Sequence, residues 1–245
     1  MESNGMVYGK IPVKNALEGR RKPIRLFLNR DHPDKEIQSL ASRKGVSYKL
    51  VDEKELRRLS GEGNHQGAVL LLQGFEYASL DDLLEETKDK ANATIVLLDG
   101  PEDPVNFGSI IRSSAAFAAD GIVIRDKRQV QVTPTVCKVA TGAEDTLPIA
   151  RVSNLSQAIE TFKKNGFWIV CSAGEGSDPY DEIDYSGKIV LVVGSEGFGA
   201  SRIVENNADF LASIPLDGDI KALNAGVACA IFLAQISSFR RKKNQ

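Results

Sequence analysis

Three turns that each follow an apolar strand hold the polar residues best suited to chemistry. Asn106 and Arg112 lie in PVNFGSIIRSSAAF, Glu196 lies among glycines in VVGSEGFG, and Asn224 opens the last helical pattern in LDGDIKALNAG. An amide can orient a bound group, a guanidinium can bind a phosphate, and glycines let the backbone approach a ligand closely. Ligands of parallel α/β sheets bind at the carboxyl ends of the strands, so these turns are the candidate site.

Each of these signals also has a simpler structural explanation. Asn106 and Asn224 could cap helices, and Arg112 could be a surface residue with its aliphatic stem on apolar neighbours. Arg112 follows Asn106 by six residues, about 240° around a helix, so the two do not share a face. Both could still border one pocket at the amino-terminal end of the helix.

The glycine-rich turn does not carry a nucleotide fingerprint. Its glycines at 194, 197 and 199 follow the spacing GxxGxG. A dinucleotide site requires GxGxxG after the first strand, and a P-loop requires GxxxxGK[ST]. This spacing argues against a nicotinamide enzyme or an NTPase.

Composition bounds the class of protein. The chain has 245 residues, 42% of them hydrophobic, which suffices for one large core or two modest ones. No apolar run reaches the roughly 18 residues of a membrane span, and the amino terminus lacks the apolar core of a secretion signal, so we expect a cytoplasmic protein with no membrane partner. The three cysteines lack paired spacing and are predicted to be buried free thiols. With only two histidines, no metal site is expected.

Charge is distributed unevenly along the chain. Residues 1–78 carry 14 Lys and Arg against 10 Asp and Glu, whereas the remainder carries 17 against 23. Short basic clusters occur in GRRKPIR and in RRKK near the carboxyl terminus. Such clusters are typical of a phosphate-binding surface, but they also occur on ordinary solvated faces and at helix ends.

The apolar pattern predicts two α/β domains. Residues 1–78 form a small α/β unit, the charged stretch 79–93 is interpreted as a linker, and strands alternate with helices over 94–245. The strands of the second part are near-continuous apolar runs, which predict a parallel sheet covered on both faces. Helices are predicted over 106–119 and 223–240.

Taken together, the motifs resemble those of the SpoU (TrmH) family of RNA ribose 2′-O-methyltransferases, within the SPOUT class. The resemblance runs from LDGPEDPVNFGSIIRSSAAF through TGAEDTLPIARV and VVGSEGFG to IPLDGDIKALNAGVACAI. The front part, with YGKIPVKNAL and HQGAV, is similar to the ribosomal-protein-like substrate domain of that family.

The resemblance implies a parallel sheet with a deep trefoil knot, S-adenosylmethionine bound by the knotted loops, and a homodimer that acts on RNA and not on DNA. It implies catalytic roles for Asn106, Arg112, Glu196 and Asn224. The implied cofactor-binding residues are Gly194, Glu196, Gly197, Ile214, Leu216 and Leu223. The implied RNA contacts are Arg20, Arg21, Lys22 and Arg112. We interpret Arg112 as a phosphate clamp that also lowers the proton affinity of the ribose hydroxyl, and leave the general base open, because guanidinium resists deprotonation.

One position departs from the family pattern. The family usually has Ser-Leu-Asn where this chain has Ala222 before Leu223 and Asn224. Either the hydroxyl is dispensable, or water replaces it, or the protein binds RNA without efficient turnover. The extra front domain favours 23S rRNA as substrate over tRNA. An unrelated doubly wound enzyme is the third alternative.

Overall fold

A computed structural model describes residues 5–19, 21–61, 63–100, 103–127, 129–174, 177–195, 199–219 and 222–243. The chain divides into two compact units, one of residues 1–76 and 132–146, the other of residues 77–131 and 147–245. The elements of the first 76 residues are β1 (Gly5–Tyr8), α1 (Lys10–Glu18), β2 (Pro23–Asn29), α2 (Lys35–Arg43), β3 (Tyr48–Val51), α3 (Glu53–Ser60) and β4 (Ala68–Leu72).

The remaining elements alternate between strands and helices, as the apolar runs predict. They are α4 (Leu80–Thr87), β5 (Ala93–Asp99), α5 (Pro104–Ala116), β6 (Gly121–Arg125), α6 (Pro134–Ala140), a 3-10 turn (Ala143–Asp145), β7 (Ile149–Val152), α7 (Leu155–Lys164), β8 (Phe167–Ser172), β9 (Asp178–Pro179), β10 (Lys188–Gly194), α8 (Arg202–Glu205), β11 (Phe210–Ser213) and α9 (Ala225–Lys243).

The first unit is built on a four-stranded sheet in the order β1-β4-β2-β3. β4 pairs antiparallel with β1 and β2, while β2 and β3 are parallel. Strand β1 was not predicted, because four residues next to a glycine give too short a pattern. It forms only because its partner β4, more than 60 residues away, offers an edge.

The second unit is a seven-stranded sheet in the order β7-β6-β5-β10-β8-β11-β9, with every pair parallel. The prediction of a parallel sheet is therefore confirmed. Ile95 and Leu97 of β5 pack with residues of α4 and α7 in one apolar cluster. Thr94 points to the opposite face, where its hydroxyl accepts a hydrogen bond from Arg240 of α9, 2.7 Å away. Helices thus cover both faces.

The basic cluster near the carboxyl terminus is not simply a solvated face, because its first residue, Arg240, binds backbone carbonyls. The guanidinium of Arg240 donates to the carbonyls of Ala93, Tyr185 and Gly187 at 2.9–3.1 Å. These carbonyls lie at the amino-terminal ends of β5 and β10, the edge opposite the candidate site. Arg240 therefore holds the end of α9 on the sheet.

The domain boundary differs from the prediction in two places. The stretch 79–93 contains α4, whose Ser79 forms a capping box with Asp82 and whose Leu83 is fully buried in the second core. The S-x-x-D pattern was the sequence signal for this helix. Residues 132–146 interrupt the second unit in sequence yet fold with the first.

The buried thiols are as predicted for two of the three cysteines. Cys171 and Cys229 are fully buried and unpaired, while Cys137 is partly buried. Burial in apolar surroundings raises the pKa of Cys171 and of Cys229 to about 12, so both stay protonated. Across the residues that the structure describes, no helix is long and apolar enough to cross a membrane.

Candidate active site

The site lies where the two central strands end. Asp99 of β5 and Gly194 of β10 are register partners, so both strands finish at one level. Gly100, with a φ of 113°, follows directly, and a Cβ on it would lie 3.1 Å from the Cβ of Ser195. Only a glycine allows both turns to leave the sheet side by side.

Asp99 fixes this edge and was missed by sequence reasoning. Its side chain is 6% exposed, and it accepts hydrogen bonds from the Arg125 guanidinium at 2.9 Å and from the Ser201 amide at 2.8 Å. It thereby ties the end of β6 and the segment before α8 to the end of β5. The aspartate that closes TIVLLD was the available signal, since an acid ending a buried strand needs such partners.

Asn106 and Asn224, 118 residues apart, are brought together. The Nδ2 of Asn224 donates to the Oδ1 of Asn106 at 2.7 Å. The orientation of the Asn224 amide is fixed because its Oδ1 accepts from the backbone amides of Gly226 and Val227 at 2.9 and 3.2 Å. Asn224 therefore caps α9 with its Oδ1 and contacts Asn106 of α5 with its Nδ2.

Asn106 itself is not the cap of α5. Asp103 holds that role, accepting from the amides of Val105 and Asn106. The helices approach closely beside this pair, because a Cβ on Gly226 would lie 3.3 Å from the Cβ of Ser109. The amide of Asn106 is thus held at the point where α5 and α9 meet, rather than used to begin a helix.

Arg112 lies six residues further along α5. It is exposed and shares a face with Val105, Ser109 and Ala116, whereas Asn106 lies on another. Within the described part of the chain, no hydrogen bond or ion pair fixes its guanidinium. The structure therefore places Arg112 on a surface of α5 and does not join it to the two asparagines.

The glycine-rich turn after β10 is tightly packed. A Cβ on Gly194 would lie 2.0 Å from the carbonyl carbon of Gly199 and 2.1 Å from the nitrogen of Ala200. Ser195 and Gly199 exchange two backbone hydrogen bonds at 2.9 and 3.0 Å. Glu196 and Gly197, assigned to this turn from the sequence, lie outside the described residues.

The other predicted cofactor residues lie on exposed or half-buried chain. Ile214 is half-buried and Leu216 is 38% exposed after the end of β11, and Leu223 is half-buried before α9. No backbone hydrogen bond among the described residues uses positions 214–219, so their amides and carbonyls can serve a ligand. Ala222 is exposed and offers no hydroxyl.

This set of residues fits S-adenosylmethionine. The turns after β10 and β11 leave the same edge of the sheet, separated by one strand and hence by about 10 Å. Apolar side chains can sandwich an adenine, while unpaired backbone groups can read its edge. The glycines allow the chain to come close to the ligand.

The prediction that Arg21 contacts RNA is wrong in this structure. Arg21 is 7% exposed, and its guanidinium forms a two-pronged ion pair with Asp145, including an Nη2 to Oδ2 contact of 3.0 Å. Nη2 also lies 3.3 Å from Glu144. Lys22 is exposed and stays a predicted RNA contact, while Arg20 lies outside the described residues.

The Arg21 cluster predicts a pH dependence of stability. Burial, followed by the neighbouring charge of Asp145, raises the pKa of Glu144 from 4.5 to about 7. A raised pKa stabilises the folded state below pH 4.5, and this contribution is lost as the pH rises through 7. The loss amounts to about 3 kcal/mol.

Glu144→Gln should therefore flatten the pH dependence of the melting temperature between pH 5 and 8. The variant gains relative to wild type as the pH rises, because the amide cannot ionise. The matched control is Glu160→Gln, on the exposed face of α7, which should follow the wild-type curve. Parallel curves for wild type and Glu144→Gln would contradict this reading of the cluster.

Comparison with known proteins identifies the family of the chain. Residues 93–234 match the SpoU rRNA Methylase family, and residues 6–78 match the RNA 2'-O ribose methyltransferase substrate binding domain. The 23S rRNA (guanosine-2'-O-)-methyltransferase RlmB of Coxiella burnetii is 38% identical over 239 residues, which are 96% of this chain and 95% of that protein.

Two solved structures extend the comparison. An AdoMet-bound rRNA methyltransferase from Sinorhizobium meliloti has a TM-score of 0.80 and 27% identity, covering 98% of this chain and 87% of its own. A TrmH/SpoU tRNA modifying enzyme from A. aeolicus has a TM-score of 0.58 and 28% identity, covering 67% and 84%. The two family matches and the fold thus define an RNA methyltransferase with a substrate-binding unit. The chain belongs to the SpoU rRNA methylase family.

Proposed function

We propose that this chain transfers the methyl group of S-adenosylmethionine to a ribose 2′-hydroxyl in structured RNA. The observation that carries the proposal is the hydrogen bond between Asn106 and Asn224, which joins the first turn of α5, the helix that follows β5, to the start of α9. The family match over most of the chain supports the same reaction.

Methyl transfer to a hydroxyl places few demands on the protein. S-adenosylmethionine, when bound, supplies an electrophilic methyl group on a sulfonium. The protein must hold the ribose oxygen in line with that group and relieve it of its proton. Asn106 and Asn224 orient the site, and Glu196 is assigned to it from the sequence. Arg112 binds the neighbouring phosphate and lowers the proton affinity of the hydroxyl, and the identity of the base stays open.

The cofactor is proposed to lie between three segments. Gly194 and the turn that follows it form one wall, with Glu196 and Gly197 assigned there from the sequence. Ile214, Leu216 and Leu223 provide the apolar surfaces. We further propose that the carboxyl-terminal part of the chain threads through these loops as a deep trefoil knot.

We propose large-subunit rRNA, 23S in bacteria, as the substrate, with tRNA as the alternative. The rRNA relative from Coxiella burnetii matches 96% of this chain, so it spans both units. The tRNA modifying enzyme from A. aeolicus covers only 67% of it. The first unit, which matches a substrate-binding domain, is thus shared with the relative named for 23S rRNA.

A homodimer would complete each site. Arg112 lies on an exposed face of α5 with Val105, which is 52% exposed, and Val227 at the start of α9 is 49% exposed. Apolar side chains so close to a functional helix pair are suited to an isologous contact. A second copy on this face would bring the Arg112 of one protomer toward the asparagines of its partner.

Val227→Asp should therefore convert a dimer of about twice 26.6 kDa into a monomer and abolish methyl transfer. The substitution is tolerated by the fold, because an aspartate in the first turn of a helix is favourable. Light scattering during size exclusion measures the mass. The matched control is Ile11→Asp, which replaces an exposed β-branched side chain in the first turn of α1. It should leave the mass unchanged. A wild-type monomer with full activity would contradict the dimer.

The second candidate is a relative that binds RNA without turnover, and Ala222 is the observation that favours it. Calorimetry separates the two, because a silent protein has little reason to bind S-adenosylmethionine. The direct test mixes purified protein, tritiated S-adenosylmethionine and either protein-free rRNA or tRNA. Tritium in rRNA supports the proposal, whereas none in either RNA contradicts it.

A further inference from the structure

A polar cavity of about 530 Å³ opens in the first unit. It is lined by the beginnings of α1 and α3, the residues after β2 and the turn before β4. Its volume is within the range of about 300–1,000 Å³ that ligand sites occupy. Both histidines of the chain, His32 and His65, line it.

The floor of the cavity is a closed hydrogen-bond network. The carboxylate of Glu53 contacts the Nδ2 of Asn29 at 3.0 Å and the Nε2 of His65 at 3.2 Å. Since the Nδ1 of His65 accepts from the amide of Gly67 at 3.1 Å, Nε2 carries the proton and donates to Glu53. Asn29 is 8% exposed and His65 is 6% exposed. Both carboxylate oxygens of Glu53 thus contact a protein donor, while the Glu53 side chain stays 51% exposed.

The turn before β4 is held in an unusual conformation. Gln66 has a φ of 49°, which is rare for a residue with a side chain, and Gly67 follows with 83°. The Oε1 of Gln66 accepts a hydrogen bond from the amide of Lys10, at the start of α1, at 3.1 Å. Strain of this kind is concentrated at functional sites. Because Oε1 is used in this hydrogen bond, the NH₂ group of Gln66 remains as a donor at the cavity.

The groups at the mouth of the cavity are mostly donors and flat rings. Arg57 is exposed and reaches Glu53 only through its Nε, at 3.5 Å, which leaves the outer edge of the guanidinium. The imidazole of His32 is exposed nearby, and Lys10 adds a second cation whose Nζ lies 3.0 Å from Asp34 and keeps further donors. These donors suit a ligand that presents acceptors, such as a phosphate and base carbonyls. Unpaired RNA bases stack on histidine rings and on guanidinium planes.

We propose that this cavity binds one unpaired nucleotide of the RNA substrate, with its base against His32 and Arg57 and its acceptors toward Gln66 and Lys10. The inference rests on the proposed function and deepens it, because it assigns a place on the first unit that grips the RNA. The proposed methyl-transfer residues belong to the second unit and the residues of this cavity to the first.

The test compares a His32→Ala/Arg57→Ala double variant with Arg58→Ala. Both replaced side chains of the double variant are exposed, and Arg58 is an exposed neighbour on α3 that does not line the cavity. Filter binding with protein-free 23S rRNA should show a loss of affinity of about 10-fold or more in the double variant, as expected when one stacked base is released. Arg58→Ala should change it less than about 2-fold. Calorimetry should show wild-type affinity for S-adenosylmethionine in both, and unchanged thermal unfolding of the full chain establishes that the first unit also folds.

A second measurement locates the contact without a variant. Photo-cross-linking of wild-type protein to rRNA containing 4-thiouridine, followed by mass spectrometry, should place adducts on the peptides that contain His32 or Gln66. Equal RNA affinity of the double variant and Arg58→Ala would overturn the proposal. So would a double variant that loses only its binding to intact large-subunit particles, because a ribosomal protein would then fill the cavity, or a cavity that binds 5′-GMP while the substitutions leave RNA affinity unchanged.

Failure of this inference is distinguishable from failure of the proposed function. Wild-type protein could methylate RNA while the double variant binds RNA as tightly as Arg58→Ala. In that case the cavity does not bind the substrate, but the proposed methyltransferase activity stands. Wild-type protein that methylates no RNA would contradict the proposed function itself.

Discussion

Arg112→Ala should lower the turnover number for methyl transfer by about 100-fold to 1,000-fold, the loss typical of removing one donor that stabilises developing charge. Arg112 lies on an exposed face of α5 and makes no described contact that the fold depends on. The substitution should therefore leave the melting temperature and the affinity for S-adenosylmethionine at wild-type values. Single-turnover assays with saturating RNA and methyl donor measure the chemical step directly.

Two further variants sharpen this prediction. Arg112→Lys retains the charge but loses the two-pronged geometry for phosphate, so its turnover should fall at least about 10-fold. Lys164→Ala removes an exposed cation from the same unit, at the end of α7, and should have no measurable effect. If Arg112→Lys kept wild-type turnover and wild-type RNA affinity, the role assigned to Arg112 would be wrong.

Gly194→Ala should reduce the affinity for S-adenosylmethionine by more than about 100-fold. The new methyl group would lie 2.0–2.3 Å from backbone atoms of Gly199 and Ala200, and a backbone cannot rotate away as a flexible side chain can. Either β10 or the segment that follows the glycine-rich turn must shift, and interiors resist such overpacking. Because the cofactor loop begins at this residue, the shift displaces the wall of the binding site. Calorimetry with S-adenosylmethionine measures the effect.

The matched control is Gly174→Ala. Gly174 follows β8 in the same unit, and a Cβ on it meets nothing within 4 Å. Its variant should bind S-adenosylmethionine normally. A Gly194→Ala protein with normal affinity and an unchanged melting temperature would show that the turn after β10 is not part of the cofactor site.

Local hydrophobic patterns were sufficient to predict the parallel sheet and most of the helices that cover it. The continuous apolar runs of β5 and β10 and the long pattern of α9 report burial directly, so their positions follow from the sequence to within a few residues. The family resemblance, which rests on ordered motifs, supplied what these patterns lack. It implied a cofactor and a reaction, and the family membership and the fold are confirmed.

Long-range pairings could not be predicted. The Arg21 side chain is neutralised by Asp145, 124 residues later, and no local pattern distinguishes it from the exposed Lys22 beside it. The bond from Asn224 to Asn106 likewise spans 118 residues. Each amide alone resembles an ordinary helix cap, and only the packing of α5 against α9 gives the pair a shared position.

The cavity of the first unit is a similar case. HQGAV was recognised as a motif, but nothing in its residue types shows that Gln66 adopts a left-handed backbone or that Asn29 and His65 share one carboxylate. Those features depend on how the ends of β2 and α3 meet. Sequence reasoning therefore placed the chemistry in the second unit and assigned to the first only the RNA contacts Arg20, Arg21 and Lys22.

Nucleoside mass spectrometry of rRNA treated with the purified protein and S-adenosylmethionine shows which atom receives the methyl group. We expect a new 2′-O-methylated nucleoside that forms about 100-fold to 1,000-fold more slowly with Arg112→Ala. A methyl group on a base, or no methyl group with a cofactor-bound and folded protein, would contradict it.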